Sequence, residues 1–444
     1  MAGIRPITVF IRRSSLNIFI VTAGSRGDVQ PYVALGKGLQ AAGHAVTVCT
    51  CESFEPFITK HGLSYGYMND DFIRLVDSEA GRKAMGGGDN PLNLVRSMIA
   101  LMKDAKTLNR AMMRDAWNAA QQADPDVVIF HPKALAGSHI AEKLGVPAIL
   151  ALPVPAIVPT GDYAAVGFPD LRLGRWYNKL TFKILLRGYH SYDDVVNEFR
   201  QDVLGLGKYP KSTTPMQMAD GSTIPVLHGY SPIVWPRPTD WPATAYVTGY
   251  WFLDQDEPWQ PPAALEEFLA AGDPPVYVGF GSMAGRNPER ITGIVVQALQ
   301  QVDVRGIIAT GWGGLSADDL PDTILKIDQA PHDWLFPRVA AVVHHGGAGT
   351  TAAGLRAGKP SVICPFLVDQ PLWGARVHAL GAGPKPIPQK KLTADKLAAA
   401  ITEATSSPVM RARAEQVGQQ IRDEDGIGTA VGLIEKEIAG ETQQ

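Results

Sequence analysis

Along residues 17–50 the hydrophobic period changes twice. An apolar, β-branched run at 17–22 reads as a buried strand. The apolar positions over 31–42 then fall three and four apart, the spacing of a helix face, and 45–50 returns to a strand-like run. Pro31 suits the first turn of that helix and Gly43 ends it. Such a strand–helix–strand unit implies parallel strands joined by a right-handed crossover. The alternation continues with a helical period over 91–121, where Leu94, Met98, Met102, Ala105, Leu108 and Met112 recur every three or four residues. Strand 126–130, helix 134–144 and strand 147–152 follow. After residue 265 the pattern restarts: strand 276–280, helix 288–302, strands 306–310, 323–327 and 341–343, helix 350–357 and strand 361–365. Helical stretches at 393–424 and 428–439 close the chain.

Two segments break the alternation. Over 153–222 prolines mix with aromatics, among them Phe168, Trp176 and Tyr177, and an amphipathic helical portion covers 176–204. Insertions of this kind after a strand commonly build ligand pockets. The stretch TGYWFLDQDEPWQPPAAL, 248–265, holds Pro258, Pro261 and Pro262, which helices rarely pass through. The expected organisation is therefore α/β: a disordered extension at 1–16, a doubly wound domain at 17–247, a linker at 248–265 and a second doubly wound domain at 266–424. A terminal helix at 425–444 is a candidate to pack back on the first domain.

Composition narrows the function. The 444 residues are 45% hydrophobic and 19% charged, with a formal net charge of −3, which lacks the basic excess of a nucleic-acid binder. No run of about 18 apolar residues predicts a membrane-spanning helix. The N-terminal apolar stretch covers only 7–11 before Arg12 and Arg13, too short for a secretion signal. Cys49, Cys51 and Cys364 form no C-x-x-C, so reduced core thiols and a cytoplasmic location are expected. No basic amphipathic helix is read that demands a membrane.

The strongest chemical signal is AVVHHGGAGTT, 341–351. A buried strand runs into His344, His345, Gly346, Gly347, Ala348, Gly349 and Thr350, and a helix of small residues begins at once. That arrangement aims free backbone N–H groups and a helix dipole at an anion, and His344 and Thr350 add side-chain donors. It is not a dinucleotide fingerprint, because G-x-G-x-x-G is absent, and GLRAGKP lacks one spacer and the Ser/Thr of a P-loop. The adjacent histidines lack partners at zinc spacing. About twenty residues on, Asp369 and Gln370 place a carboxylate beside an amide, a pairing that binds vicinal hydroxyls; helix capping by Asp369 is the alternative.

HHGGAGTT, DQP, FGSM (280–283), PHDWLFPR (331–338) and GSRGDVQPYVALGKGL together resemble the sterol-glucosyltransferase branch of the UDP-glycosyltransferases, related to the antibiotic glycosyltransferases. The likeness covers 17–150 and 270–400 and is weakest over 153–222. It implies the GT-B architecture, two Rossmann-like doubly wound domains facing across a cleft. The nucleotide sugar would bind the C-terminal domain and the acceptor the N-terminal one. His344, Gly346, Gly347, Gly349 and Thr350 would hold the diphosphate. Gly281, Ser282 and His332 belong to donor motifs, and Asp369 and Gln370 would bind sugar hydroxyls. Plant relatives carry a tryptophan under the uracil where this chain has Gln329; the Ala330 backbone would still read the uracil edge, and Trp312 is a candidate to stack on it.

Plant relatives also carry a histidine at the place of Asp28 and an aspartate near that of His131. The resemblance therefore implies an exchanged catalytic pair, Asp28 and His131, and leaves open which of them takes the proton. Ser25 and Arg26 lie beside Asp28 and are expected near the donor phosphates. Met98, Met102, Phe168 and Trp176 are candidates for an apolar acceptor wall. The implied reaction is inverting transfer of a hexose, glucose from UDP-glucose, to a hydroxyl of a sterol, another lipid or a polyketide. No cofactor or metal is implied: the D-x-D triplets at 124–126 and 254–256 read as solvated turns. The alternatives are a dTDP-deoxysugar transferase and a non-catalytic lipid or nucleotide-sugar binder. Peripheral membrane contact fits a lipidic acceptor; the oligomeric state is not legible.

Overall fold

The computed structural model describes residues 15–71, 73–74, 91–211, 213–254, 259–281, 288–310, 320–366 and 369–440, without the side chains of 91–104 and 288. Two sheets form. The first contains β1 (Asn17–Val21), β2 (Ala45–Cys51), β3 (Ser64–Met68), β4 (Val127–Phe130), β5 (Ala148–Leu152), β6 (Val226–His228) and β7 (Ala245–Val247), in the order β3-β2-β1-β4-β5-β6-β7. The second contains β8 (Val276–Gly279), β9 (Gly306–Ala309), β10 (Ile324–Ile327), β11 (Ala341–His344) and β12 (Ser361–Ile363), in the order β10-β9-β8-β11-β12. Every pairing is parallel. Continuous apolar strands such as VVIF at β4 and VYVG at β8 are buried on both faces because helices cover both sides.

In each sheet the strand order reverses once, between β1 and β4 and between β8 and β11. Loops leaving the carboxyl ends of such a strand pair diverge to opposite faces and open a crevice, where ligands bind in doubly wound folds. The helices that matter here are α1 (Arg26–Ala41), α2 (Pro91–Ala123), α3 (Gly137–Leu144), α4 (Arg175–Tyr189), α5 (Pro288–Val302), α6 (Ala348–Arg356), α7 (Gln370–Ala379) and α8 (Gly426–Ala439). α8 packs Ala430, Val431 and Ile434 into the same core cluster as β1, β2 and α1. Glu435 and Glu437 tie it further to His44 (3.1 Å) and Tyr246 (2.8 Å).

Three details differ from the sequence expectation. α1 begins at Arg26 rather than at Pro31, because Ser25 and Asp28 organise an earlier start; Pro31 sits in the second turn, where it costs one backbone bond. A helix at Ala263–Ala270 begins inside the proline-rich linker, just past Pro262. Finally, the amphipathic helix expected over 176–204 begins with α4, whose solvent face is basic, a feature that the sequence reading does not include.

Candidate active site

Asp28 stands at the crevice of the first sheet. β1 ends, Gly24 turns the chain at φ +133°, and Asp28 falls in the first turn of α1. A Cβ on Gly24 would lie 2.3 Å from Asp28 Oδ2, so only glycine lets the carboxylate fold back over the turn. The two carboxylate oxygens have different tasks. Oδ2 accepts from the Ser25 backbone N–H (2.9 Å), half of a capping box. Oδ1 accepts from Lys133 Nζ (2.7 Å) and faces His131 Nε2 at 3.7 Å.

His131 follows β4, on the other side of the same crevice, and is buried. Its Nδ1 accepts the Lys133 backbone N–H (3.0 Å), which assigns the ring proton to Nε2, the atom facing Asp28. Burial pushes the His131 ring down to about 4 against the opposing pull of Asp28, so near neutral pH it is uncharged. Burial alone would raise the Asp28 carboxyl, but the Lys133 charge, His131 once acid protonates it, and the Lys133 and Ser25 hydrogen bonds together hold it below its ordinary value. The pair is therefore an ionised carboxylate beside a neutral imidazole. Lys133 has no counterpart in the sequence reading. HPKALAG places it two residues past His131, but only the fold carries it to a residue 105 positions away.

The second crevice carries the glycine turn. β11 ends at His344, wholly buried, and α6 starts at Ala348. Gly346 has φ +91°, and a Cβ there would meet Ile363 Cγ2 at 2.7 Å and the Gln370 carbonyl at 3.1 Å, so the turn admits no side chain. A Cβ on Gly349 would meet nothing within 4 Å; the start of α6 is open on that side. His344 Nδ1 accepts the Gly346 N–H (3.1 Å), leaving its Nε2 as a donor. That atom, His345 Nδ1 and Thr351 Oγ1 are buried with no hydrogen-bond partner, an unusual cluster for a protein interior. Burial and the neighbouring His345 and His332 keep His344 well below the ordinary histidine range, hence a neutral donor. Gly347 caps α6 and Thr350 lies in its first turn, half-buried.

Asp369 and Gln370 open α7 beside this turn. Asp369 Oδ2 accepts from Trp373 Nε1 (2.9 Å) and makes no side-chain capping bond. Gln370 is buried, and its Oε1 accepts the Phe366 N–H (2.8 Å), so part of its amide is committed to the fold. Gly281 lies opposite His345, whose Cε1 would be 3.5 Å from a Cβ there. His332 stacks on Phe336 (centroids 4.2 Å, 15°), and the half-buried Ala330 precedes it by two residues. Ser282 and Trp312 lie outside the described residues.

The two crevices face each other. Burial pushes the Asp369 carboxyl up, the Trp373 N–H opposes this, and the Asp28 charge pushes it up further. Burial, then the Arg26 guanidinium and His345, push His332 down to about 4. Arg26, which also bonds Gln30 Oε1 (2.9 Å), thus lies near His332 of the second domain, as Asp28 and Lys133 lie near Asp369. Behind the site Trp235 meets Trp373 (centroids 6.3 Å), and Arg376 donates to the Val234 carbonyl, joining the domains next to Asp369.

A small, mostly apolar pocket, half open to solvent, lies behind the β4 loop. Phe130, Leu135, Leu186, Tyr189, Tyr192 and Tyr209 supply much of its wall, and Pro132, between His131 and Lys133, reaches it. Of the expected acceptor residues, Phe168 and Trp176 do not line it. Phe168 is half-buried elsewhere in the insertion and Trp176 stands on the outer face of α4, 64% exposed, because the insertion turns α4 so that Leu186 and Tyr189 face inward instead. The side chains of Met98 and Met102 lie outside those described.

Among the described residues no group of three His, Cys, Asp or Glu side chains is placed to hold a metal ion. In the D-x-D triplets Asp126 accepts the Asn17 N–H (2.9 Å) and Asp254 pairs with Arg356 (3.0 Å); Asp256 lies outside the described residues.

Residues 18–159 match the glycosyltransferase family 28 N-terminal domain, and residues 294–425 match the erythromycin biosynthesis protein CIII-like C-terminal domain. Each half of the chain is thus similar to a domain found in glycosyltransferases. The sterol 3-beta-glucosyltransferase of Aspergillus fumigatus is 38% identical over 97% of this chain and 30% of that protein. The one from Saccharomyces cerevisiae is 36% identical over 94% of this chain and 35% of that protein. The chain thus spans about a third of the length of the curated relatives it matches. Among solved structures, the glycosyltransferase of kitacinnamycin is 19% identical at a TM-score of 0.70, over 96% of this chain and 100% of that one. The glycosyltransferase VinC, solved with dTDP, is 21% identical at a TM-score of 0.67, over 96% and 99%. The fold is the GT-B fold of these glycosyltransferases. The two matched domains each contain one of the crevices, Asp28 and His131 in the first and the 344–350 turn in the second.

Proposed function

We propose that this chain transfers glucose from UDP-glucose, with inversion, to a hydroxyl of a lipophilic acceptor such as a sterol. The observation that carries the reading is the ionised Asp28, its Oδ1 in one crevice, facing a glycine turn and helix N-terminus in the other. The curated relatives' name, sterol 3-beta-glucosyltransferase, supports the sugar and the acceptor class. The apolar pocket that Pro132 reaches, one residue past His131, supports an apolar acceptor.

In this mechanism Asp28 Oδ1 takes the acceptor proton as the acceptor oxygen forms its bond to the anomeric carbon. The bond from that carbon to the β-phosphate oxygen breaks, and the electron pair leaves on the diphosphate. The start of α6 and the Nε2–H of His344 stabilise that charge where it develops. Asp369, raised by its burial, and Gln370 orient sugar hydroxyls. His131 is a positioning residue. One of its nitrogens is occupied by the Lys133 N–H and the other carries the proton, so it holds Asp28 and does not take the proton itself. Asp28→Asn tests this: kcat should fall about 100- to 10,000-fold while the donor dissociation constant changes little. Turnover near that of the wild type would overturn the assignment. A panel of UDP- and dTDP-sugars, scored by nucleotide release, tests the donor; preference for a dTDP-deoxysugar would displace UDP-glucose.

A further inference from the structure

Among the described residues, seven large hydrophobic side chains are exposed, and five of them fall between residues 171 and 184. They are Leu171 (53%), Leu173 (49%), Trp176 (64%), Leu180 (42%) and Ile184 (50%). On α4 the last three follow each other at intervals of four, a single apolar row along the helix. Arg175, Lys179, Lys183 and Arg187 form a second row at the same interval, next to the first and also exposed. Arg172 adds a fifth cation, and no acidic residue occurs from Leu171 to Tyr192. Asp162 and Asp240 partner Arg175, and Asp240 lies 3.7 Å from Lys179. No ion pair to Lys183 or Arg187 is found among the described residues, so the cationic end of the row lies toward the C-terminus of α4.

A soluble monomer gains nothing from an exposed tryptophan between two aliphatic side chains; such a patch marks a contact surface. The basic row beside it selects the partner. An apolar row enters the acyl boundary of a bilayer while flanking Lys and Arg extend their charged ends to phosphate headgroups, and tryptophan favours that interface. The opposite face of α4 has its own role, because Leu186 and Tyr189 wall the cavity behind Pro132.

We propose that segment 171–187 docks this chain onto a bilayer surface of anionic lipid, with the apolar row of α4 in the headgroup–acyl boundary. The docking stands on this surface alone. Its consequence, that a lipid acceptor passes from the bilayer along α4 into the cavity, rests on the acceptor reading above.

The test is co-sedimentation of the full chain with phosphatidylcholine vesicles, with and without phosphatidylglycerol. Binding should require phosphatidylglycerol and weaken in high salt. Lys183→Gln with Arg187→Gln should lower the partition coefficient about 30-fold, at about 1 kcal/mol per cation removed. Leu180→Ser with Ile184→Ser should lower it at least about tenfold. Both variants should keep the wild-type melting transition and the wild-type rate of UDP release in the absence of vesicles. The idea fails if the wild type does not sediment with anionic vesicles or if both variants bind like the wild type. It fails equally if the apolar variant merely abolishes self-association in solution while vesicle binding persists. Vesicle binding without glucosyl transfer to any acceptor would leave the docking standing and overturn the acceptor reading alone.

Discussion

Asp28 divides its two carboxylate oxygens between the turn and the crevice. Its Oδ2 closes the turn that starts α1, and its Oδ1 is left in the crevice. Capping therefore does not compete with the catalytic role proposed for this acid. Lys133 sets its basicity: a cation 2.7 Å away stabilises the carboxylate and makes it a weaker base in the free enzyme. Removing that cation has a predictable sign. In Lys133→Met the Asp28 pKa rises, so protonation disables the base at higher pH, and the acidic limb of kcat/KM should move toward neutrality. A profile recorded from pH 4 to 8 checks this. A rate loss that is uniform in pH would show that Lys133 acts only on folding or binding. The motif HPKALAG contained Lys133 in plain view, but nothing local to it pointed to residue 28. The contact exists because β1 and β4 are neighbours in the sheet.

At the scale of the element, α1 and α8 meet through Gly38. In an exposed helix interior, replacing glycine by alanine gains about 0.5–1 kcal/mol. Here the added Cβ would lie 2.2 Å from Ile427 Cγ2, a stiff β-branched group on the partner helix. Overpacking of this kind costs about 1–3 kcal/mol, so Gly38→Ala should destabilise the chain. Thermal or denaturant unfolding measures it, and adding Ile427→Ala should recover part of the loss. If the single variant were more stable, α8 would not be docked as described. The helical period of α8 was readable in the sequence, but its docking partner was not. Its apolar residues fit any apolar surface, and the choice of α1 comes from shape at Gly38. α4 teaches a related lesson. Its two rows at intervals of four are present in RWYNKLTFKILLR, but which side of the helix faces solvent depends on how the insertion folds against the first sheet.

Across the whole molecule, burial holds several histidines neutral. His131 and His228 are pushed down to about 4 and His139 to about 3, in each case chiefly by loss of water. All three are buried within the first domain. Their folded pKa values lie below the ordinary 6.5, so as pH falls the unfolded chain takes up protons first. Stability is full above about 6.5 and is lost as pH falls toward 4; at pH 5 each ring contributes a loss of roughly 2 kcal/mol. Urea unfolding should show a clearly lower midpoint at pH 5 than at pH 7. An unchanged midpoint would mean that these rings are hydrated or already charged in the folded chain. His139 also shows why the effect is not a local property of the sequence. Its Nδ1 meets Arg200 at 3.1 Å, and Arg200 is itself buried and paired with Glu142.

By itself the sequence determined the two parallel α/β sheets, since apolar periods and turn residues are local signals that each segment carries alone. It also determined the chemistry of both loop ends, because GSRGD and HHGGAGTT are contiguous and each builds its turn from neighbouring residues. What only the tertiary structure decided are the relations between distant segments: Lys133 on Asp28, the imidazole tautomer of His131, the cavity wall, and the outward face of α4. These depend on which strands become neighbours and how the insertion packs, so burial and distance, not residue type, assigned them. That is why Trp176 moved from an expected pocket wall to an exposed row, and why the acid in the glycine turn stands between a lysine and a neutral histidine.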